Sequence, residues 1–277
     1  MKGHALILIA LLGCSFWFLA CSQEDEPVAE EVAPAELMEE KPLPGDMVLI
    51  PAGEFTMGSD EKAGSPPIAS PAHTVDLPAY EIDVYEVTNG EFARFQIESD
   101  YSAEGDWRSF YTIGKEDFPV ANITLDDAKA YCEWAGKRLP TEAEWEKAAR
   151  GPDGNAFPWG DVFDWTKTNT IEAGARNTIE VGSNPNDVSA YGVHDMMGNV
   201  MEWTSDVLKP YKGNNVKGFV GFNGNYVATR GGSYTMKGDS MFLWSRAAYV
   251  PKSQYGHGFR CVRDVETEET AEASASQ

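Results

Sequence analysis

Residues 130–146 read AYCEWAGKRLPTEAEWE, and this stretch decides how the rest of the chain is interpreted. Its first part completes a helix that Thr124 caps, because apolar residues recur there at the three- and four-residue spacing of a buried helical face. Thr141 and Glu144 form a capping box, so a second helix is expected to begin directly after Thr141. The stretch therefore predicts two consecutive helices joined by a short turn.

Regular structure elsewhere is predicted to be short, because Gly, Pro and Asn interrupt the apolar runs. Thr88 is expected to cap one more helix, which runs through Phe92 and Phe95. The eight tryptophans are many for a chain of this size, and long loops packed on buried aromatic rings account for them. Five apolar runs predict strands, of which the first two form a hairpin: residues 47–50, 54–58, 227–234, 242–249 and 258–263.

The N-terminus predicts export. Lys2 precedes an almost entirely apolar run over residues 5–20, which is too short for a comfortable bilayer span. The run ends in the sequence FLAC at Cys21, and polar residues follow at once, an arrangement that resembles a bacterial lipobox, whose cysteine is lipidated. Cys14 also follows a lipobox-like sequence, but cleavage there would leave three aromatic residues on the mature chain. The alternative is an ordinary cleaved signal peptide.

The chain divides into a leader (1–21), an acidic tether (22–45), one domain (46–264) and an acidic tail (265–277). Much of the formal net charge of −22 lies in the tether and the tail, so it describes solvated segments more than a binding face. Nucleic acid is excluded as a partner, because it requires basic patches. The first expected partner is a membrane, reached through the lipid. Ser22 permits transfer to the outer membrane in bacteria that sort lipoproteins by this position.

A resemblance extends over residues 46–264. The chain is similar to the formylglycine-generating enzyme family, also called sulfatase-modifying factor domains. The resemblance implies an α+β, C-type-lectin-like fold of the formylglycine-generating enzyme type, with little regular secondary structure and with bound calcium. The motifs that carry it are MVLIPAGEFTMGS (47–59), VTN (87–89), the stretch 130–146, PWG (158–160), YGVHDMMGNVMEW (191–203), RGGSY (230–234) and GFRC (258–261).

The active site that the resemblance implies is incomplete in this chain. The enzymes of the family hold copper with two cysteines that lie five residues apart, just after the Arg-Gly-Gly-Ser motif. Here the motif ends at Ser233, and the two cysteine positions fall on Met236 and Met241. A thioether has no proton to lose and exchanges with no disulfide. We therefore expect a degenerate site with no catalytic residue and no formylglycine formation.

The methionines raise a second interpretation of this region. Thioethers bind Cu(I), but flexible methionine also fills space that Trp and Cys occupy in relatives. Copper is therefore not expected as a cofactor, and no histidines pair at metal-ligand spacing. The methionines that would have to converge for a soft-metal site are Met196, Met197, Met201, Met236 and Met241.

Calcium is the cofactor that the resemblance favours. One site would use Asp195 and Glu202 with the backbone carbonyls of Gly198 and Val200, which matches the hard oxygen ligands that calcium takes from a bent loop. The alternative is that Asp195 caps a turn and Glu202 pairs with an arginine. A second site would use Asn169 and the carbonyl of its neighbour, but the remaining ligands of that site do not align.

Cys132 and Cys261 are the cysteines of the predicted domain. The resemblance implies that they form a disulfide. Export to an oxidising compartment favours this pairing over the alternative of two buried free thiols.

Two functions from different classes follow from these observations. The favoured one is a non-catalytic, calcium-stabilised binding or structural module that is lipid-anchored in the cell envelope and contacts an envelope protein or peptide. Its recognition loops would be residues 171–183 and 208–225. The second loop contains Tyr211, Phe219 and Phe222, which otherwise form the loop's own small core. The alternative is an oxidoreductase of the same family with a different, metal-dependent site.

Replacing Cys21 with serine should move the protein from the membrane fraction to the soluble exported fraction, because the lipid is its predicted anchor. Cell fractionation and mass spectrometry of the N-terminal peptide measure both effects. Cys14→Ser is the matched control and should leave the protein in the membrane fraction. Release by Cys14→Ser would assign the anchor to the other cysteine, and a wild-type protein without lipid would contradict the anchor altogether.

Overall fold

Each of the three α-helices of the described chain begins with a capping box. The helices are α1 (Asn89–Ser99), α2 (Leu125–Trp134) and α3 (Glu142–Arg150). In each, the hydroxyl of the preceding threonine accepts the third helical amide, and the acidic side chain of that third residue accepts the threonine amide. All three predicted caps are thus confirmed, and Glu91 and Asp127 complete the two boxes that the sequence analysis had only half identified.

The computed structural model describes residues 41–60, 66–253 and 255–265. The predicted leader, the two candidate lipidation cysteines, nearly all of the tether and nearly all of the tail lie outside these residues. Within them, no helix is long and apolar enough to cross a bilayer.

The strands of the described chain form three small sheets. The strands are β1 (Met47–Ile50), β2 (Gly53–Met57), β3 (His73–Leu77), β4 (Tyr80–Asp83), β5 (Met201–Val207), β6 (Val227–Arg230), β7 (Ala247–Tyr249), β8 (His257–Gly258) and β9 (Val262–Asp264). The orders are β1–β4–β9, β2–β3 and β7–β6–β5–β8, with every pairing antiparallel except β5 with β8. The second and third sheets both contact α3, and the third carries the candidate site.

The predicted hairpin between the first two strands is wrong. β1 pairs with β4, with Met47 opposite Asp83, and β2 pairs with β3 instead. The physical reason lies in the connection, because a two-residue hairpin turn requires positive φ at its first central residue or at both. Pro51 stands at that place and its ring fixes φ at negative values.

The late strands are shorter than the sequence predicted. β6 ends at Arg230 because Gly231 and Gly232 have φ values of +81° and +71°, which turn the chain out of the sheet. Only the last three residues of the run 242–249 form a strand, and the run 258–263 is divided between β8 and β9. Regular structure is therefore sparse, as expected, and the late strands contain fewer residues than the sequence predicted.

Aromatic rings fill the core between α1, α2 and the third sheet. Phe92 and Tyr131 lie with ring centroids 6.0 Å apart, and Tyr131 meets Phe259 edge-on at 5.3 Å. Trp203 of β5 is fully buried in the same cluster and donates its indole N–H to the carbonyl of Ile123. This packing agrees with the sequence-based explanation of the high tryptophan content.

The disulfide between Cys132 and Cys261 is present and lies inside this aromatic core. It joins α2 to the segment before β9 across a sequence separation of 129 residues. Closing a loop of that length reduces the entropy of the unfolded chain by an amount worth roughly 4–5 kcal/mol.

His257 is a buried ionisable group in the same region. Its ring lies between Trp203 at 4.5 Å and Tyr249 at 4.4 Å, and neither ring nitrogen has a hydrogen-bond partner among the described residues. Burial lowers the pKa of His257 from 6.5 to about 4. The folded protein therefore holds this imidazole neutral at a pH at which the unfolded chain protonates it.

Replacing His257 with phenylalanine should make the protein more resistant to acid. The unfolded state binds more protons than the folded state between pH 6.5 and about 4, so this histidine lowers the free energy of unfolding as pH falls through that window. When the pH falls from about 7.5 to about 4.5, the free energy of unfolding of His257→Phe should rise by roughly 2–3 kcal/mol relative to that of wild type.

Chemical denaturation at the two pH values measures this difference. Tyr249→Phe is the matched control, because it changes the ring that contacts His257 but keeps the imidazole, and it should follow the wild-type pH dependence. An equal pH dependence in His257→Phe and wild type would show that His257 does not contribute in this way.

Candidate functional site

A small pocket forms where β6 ends and the chain turns through its two glycines. The pocket has a volume of about 100 Å³, and Met201, Met236 and Met241 all line it. Met201 comes from β5, whereas the other two follow the turn. The structure thus brings Met236 and Met241, the two positions where the family has cysteines, to one pocket, together with Met201 of the motif at residues 191–203.

The thioethers of this pocket are closely packed. Met201 Sδ accepts a hydrogen bond from Thr229 Oγ1 at 2.9 Å. Met241 is buried, and a Cβ added to Gly232 would lie 2.5 Å from Met241 Sδ. Gly232 therefore serves two purposes, since it takes a positive φ and it leaves room for the methionine sulfur.

The other members of the predicted methionine set do not all join this pocket. Met197 packs in the same cluster as Met241, but Met196 lies in a different core cluster with Ile50 and Tyr80. Ser233 is buried, and its hydroxyl forms a hydrogen bond of 2.8 Å with Thr235 rather than lining the pocket. Three of the five methionines therefore line the pocket, Met197 packs in the cluster of Met241, and Met196 packs in a different cluster.

The pocket has no thiol of its own. No cysteine lies between positions 132 and 261 in the sequence, and these two cysteines are joined to each other in the aromatic core. Thioethers are neutral and cannot supply the thiolate that acts as a nucleophile or a strong soft ligand.

Arg230 and Arg246 line the pocket, and both guanidinium groups are held in ion pairs with buried acids. Arg230 binds Glu142 at 3.0 Å and Glu146 at 2.8 Å, and Arg246 binds Glu142 at 2.6 Å. Arg150 binds the remaining oxygen of Glu146 at 2.9 Å. Sequence reasoning did not find this network, because the ion pairs of Arg230 and Arg246 join residues that lie 84, 88 and 104 positions apart in the chain.

A second buried group of charges lies beside the Gly-Asn turn that follows Asp195. Glu202 forms a two-point ion pair with Arg260, with both N–O distances at 2.8 Å, and its Oε2 also accepts the indole N–H of Trp145. Asp195 is buried and accepts the amide of Gly182 at 2.6 Å. Both acids predicted as calcium ligands are thus buried here, and Glu202 has the arginine partner that the alternative interpretation expected.

Two further acids that sequence reasoning missed complete this acidic cluster, which consists of Glu86, Asp187, Asp195 and Glu202. Burial, followed by the charges of Asp195 and Glu202, raises the pKa of Glu86 well above its usual range. Burial and the charge of Asp195 raise the pKa of Asp187 in the same way, and burial raises that of Asp195 to about 6. Neither missed residue lies in a recognisable motif, so no local signal identified them.

The turn brings Asn169 into contact with the first predicted calcium site. Asn199 donates its amide to the Asn169 carbonyl at 2.9 Å, and Asn169 Nδ2 donates to Asn199 Oδ1 at 3.1 Å. Glu86 accepts Asn199 Nδ2 at 2.6 Å and the Val200 amide at 3.2 Å. Gly198 takes a φ of +89°, and any side chain there would collide with the Asn169 backbone. The two calcium sites that the sequence treated separately are therefore neighbours.

The donor chemistry of this region fits a hard cation. Four buried carboxylates share one arginine, Arg260, so negative charge is in excess. Asn169 Oδ1, Thr170 Oγ1 and Asp187 Oδ1 are buried without a hydrogen-bond partner in the described part of the chain. Such oxygens are the ligands that calcium takes. Across the described residues, however, no three His, Cys, Asp or Glu side chains are arranged to hold a metal, so carbonyl and amide oxygens would have to complete any shell.

The aromatic residues of the loop 208–225 pack within the protein. The Arg246 guanidinium lies 4.0 Å above the Tyr211 ring, and the Tyr211 hydroxyl accepts a hydrogen bond from Arg230. Phe219 and Phe222 meet edge-on at 5.0 Å. Phe219 and Phe222 therefore pack on each other, as the alternative interpretation expected, whereas Tyr211 packs on arginines outside the loop. The recognition role of this loop stays a prediction.

The comparison with known proteins identifies the family. Residues 34–265 match the model of the sulfatase-modifying factor enzyme 1-like domain. The chain belongs to this family. The match encloses the predicted domain of residues 46–264.

Relatives in the sulfatase-modifying factor family differ in activity. Formylglycine-generating enzyme of Bos taurus is 32% identical over an alignment of 285 positions, which covers 80% of this chain and 75% of that protein. Inactive Cα-formylglycine-generating enzyme 2 of Bos taurus is 33% identical over 215 residues, which cover 58% of this chain and 70% of that protein. Membership of the family is therefore compatible both with enzymatic activity and with its absence.

A solved structure supports the same assignment. PvdO from Pseudomonas aeruginosa superposes with a TM-score of 0.67 and 29% sequence identity, covering 79% of this chain and 94% of that one. The predicted α+β fold of the formylglycine-generating enzyme type, with little regular structure, is confirmed.

Proposed function

We propose that this member of the sulfatase-modifying factor family is a non-catalytic, calcium-stabilised binding or structural module of the cell envelope. The observation that carries the proposal is the replacement of both thiol positions by thioethers. Met236 and Met241 occupy the pocket where the family resemblance places the copper-binding cysteines. A protein without a thiolate there has lost the group on which the family's oxidation depends.

The relative named inactive supports this proposal, because it documents that the family contains members without the named activity. Fold membership alone does not supply function. The chain would be exported and lipid-anchored through Cys21, and would reach the outer membrane where position-based sorting applies. Its partner would be an envelope protein or peptide.

Calcium would act as a structural cofactor in this proposal. Asp195 and Glu202 would contribute carboxylate oxygens, Gly198 and Val200 carbonyl oxygens, and Asn169 the amide oxygen of the neighbouring site. When bound, the ion supplies positive charge to a region where carboxylates outnumber cations. The chain's own residues keep water out and hold these oxygens on a turn that Glu86 and Asn199 fix by hydrogen bonds.

A metal-dependent oxidoreductase is the second candidate. Three thioethers converge on one pocket, and thioethers are ligands for Cu(I). Elemental analysis of the purified protein discriminates the two candidates. Calcium as the sole bound metal favours the binding module, whereas stoichiometric copper favours the enzyme.

The purified protein should form no formylglycine. Incubation with copper, oxygen, reductant and a peptide containing Cys-X-Pro-X-Arg tests this, with mass spectrometry of the peptide as the readout. Met236→Cys/Met241→Cys is the matched variant and should bind Cu(I) more tightly than wild type, because thiolates are stronger soft ligands than thioethers. Catalytic, copper-dependent aldehyde formation by the wild-type protein would contradict the proposed function.

Removing calcium should lower the melting temperature at neutral pH. A ligand that binds only the folded state at a hundredfold excess over its Kd adds about 3 kcal/mol of stability. The gain should shrink between about pH 7.5 and about pH 5.5, because carboxyls with a raised pKa bind protons in competition with the ion. In the absence of calcium, these carboxyls should raise the free energy of unfolding as pH falls, because their raised pKa values make the folded state bind more protons than the unfolded state.

Thermal melts in calcium and in EGTA at both pH values measure these effects. Asp195→Asn should abolish the difference between calcium and EGTA, while Asp153→Asn, an exposed acid outside the acidic cluster, should retain it. Identical melts in calcium and EGTA, together with no calcium by elemental analysis, would remove calcium from the proposed function.

A further inference from the structure

A cleft of about 450 Å³ lies on the surface formed by residues 165–186, and it shares no lining residue with the methionine pocket. Its size falls within the range of small-molecule sites. None of the residues that line it is charged, although the chain carries a net charge of −22. Four other clefts of the described chain each include at least one charged side chain.

One wall of this neutral cleft is aromatic. Trp165 lines it and is 53% exposed. The side chains of Trp145, Trp203 and Trp244, in contrast, are fully buried in the core. Trp165 belongs to a single 3₁₀ turn, Trp165–Lys167, which Asp164 caps by accepting the amide and hydroxyl of Thr166. The indole is therefore held at the surface by a local turn and offers an exposed apolar face.

Other residues that line the cleft carry amides and hydroxyls. Asn184, Asn186 and Ser183 line the cleft beside the buried Asn169, whose Oδ1 has no hydrogen-bond partner in the described chain. A side-chain amide offers a donor and an acceptor together without charge. Asn184 Oδ1 accepts the amide of Asn186 at 3.2 Å, which fixes the loop that presents both side chains.

Together, an exposed indole and a neutral amide wall match one ligand chemistry. A pyranose ring has an apolar C–H face and a rim of hydroxyl groups that both donate and accept hydrogen bonds. A phosphorylated or carboxylated ligand would find no cation in this cleft, and a basic ligand would find no carboxylate. We propose that the cleft is a binding site for a neutral saccharide, which stacks on Trp165 and hydrogen-bonds to Asn184 and Asn186.

This inference does not rest on the proposed function, because it uses none of the methionines or acidic residues. Asn169 would add an acceptor for a sugar hydroxyl only in molecules whose Asn169 is not bound to a cation. The site therefore depends on the exposed indole and on the two outer asparagines, which the proposed calcium ligands do not include.

Titration of the full-length protein with three neutral saccharides tests the inference, namely the β1,4-linked trimer of N-acetylglucosamine, cellotriose and maltotriose. Isothermal titration calorimetry and saturation-transfer NMR should show saturable binding of at least one, with a Kd of about 1 mM or lower. Trp165→Ala and Asn186→Ala should each weaken that binding roughly tenfold or more. Trp165→Phe, which keeps a ring, should retain part of it.

Tyr255→Ala is the matched control, because it removes an 84% exposed aromatic ring that does not line the cleft, and its Kd should equal that of wild type. The circular dichroism spectra of all variants should superpose, since the substituted side chains are exposed. Absence of saturation by all three saccharides up to about 10 mM would overturn the inference, as would binding that Trp165→Ala leaves unchanged.

Discussion

Two carboxylates on one face of α3 hold together segments that are far apart in the chain. Glu142 and Glu146 bind the guanidinium groups of Arg150, Arg230 and Arg246 directly, at N–O distances of 2.6–3.0 Å. Three cations exceed two anions, so backbone carbonyl oxygens complete the solvation of the guanidinium groups. Removing one member of such a network leaves an uncompensated buried charge, which costs on the order of 3–5 kcal/mol. The carbonyls that take part belong to Thr56 of β2 and to Gly58, Ile68, Gly154 and Lys209, so the network links these segments to one another.

The ion pairs of this network do not involve the residues at positions 236 and 241, which determine the chemistry of the pocket. Arg230 and Arg246 line the pocket, and their ion-pair partners Glu142 and Glu146 do not. Exchanging thiols for thioethers at positions 236 and 241 therefore changes what the pocket can react with, and leaves the interactions that shape it intact. A family built on such a frame can retain its fold while members gain or lose activity, which agrees with the presence of an active and an inactive relative among the similar proteins.

Local signals predicted the local parts of this structure and failed where partners are distant. The helix starts were found because a capping box is contained within four residues. The hairpin failed because periodicity identifies strands but not their partners, and Pro51 excluded the tight turn. The disulfide and the methionine positions came from the family resemblance. Glu86 was missed because its partner Asn199 lies 113 residues away, so nothing near Glu86 in the sequence marks it as part of a site.

The two buried charge systems differ in how they are neutralised, and this difference connects the acidic cluster to the pocket. Around α3, arginines balance the acids, whereas the four buried carboxylates beside the Gly-Asn turn share Arg260, which is paired with Glu202. Protons or a hard cation must supply the remaining positive charge, and the raised pKa values are the consequence when protons do so. The same turn binds the segment after β6, since Gly198 donates to the Gly231 carbonyl and Tyr234 donates to the Asn199 carbonyl. Whatever neutralises the acidic cluster therefore also fixes the start of the loop that carries Met236 and Met241.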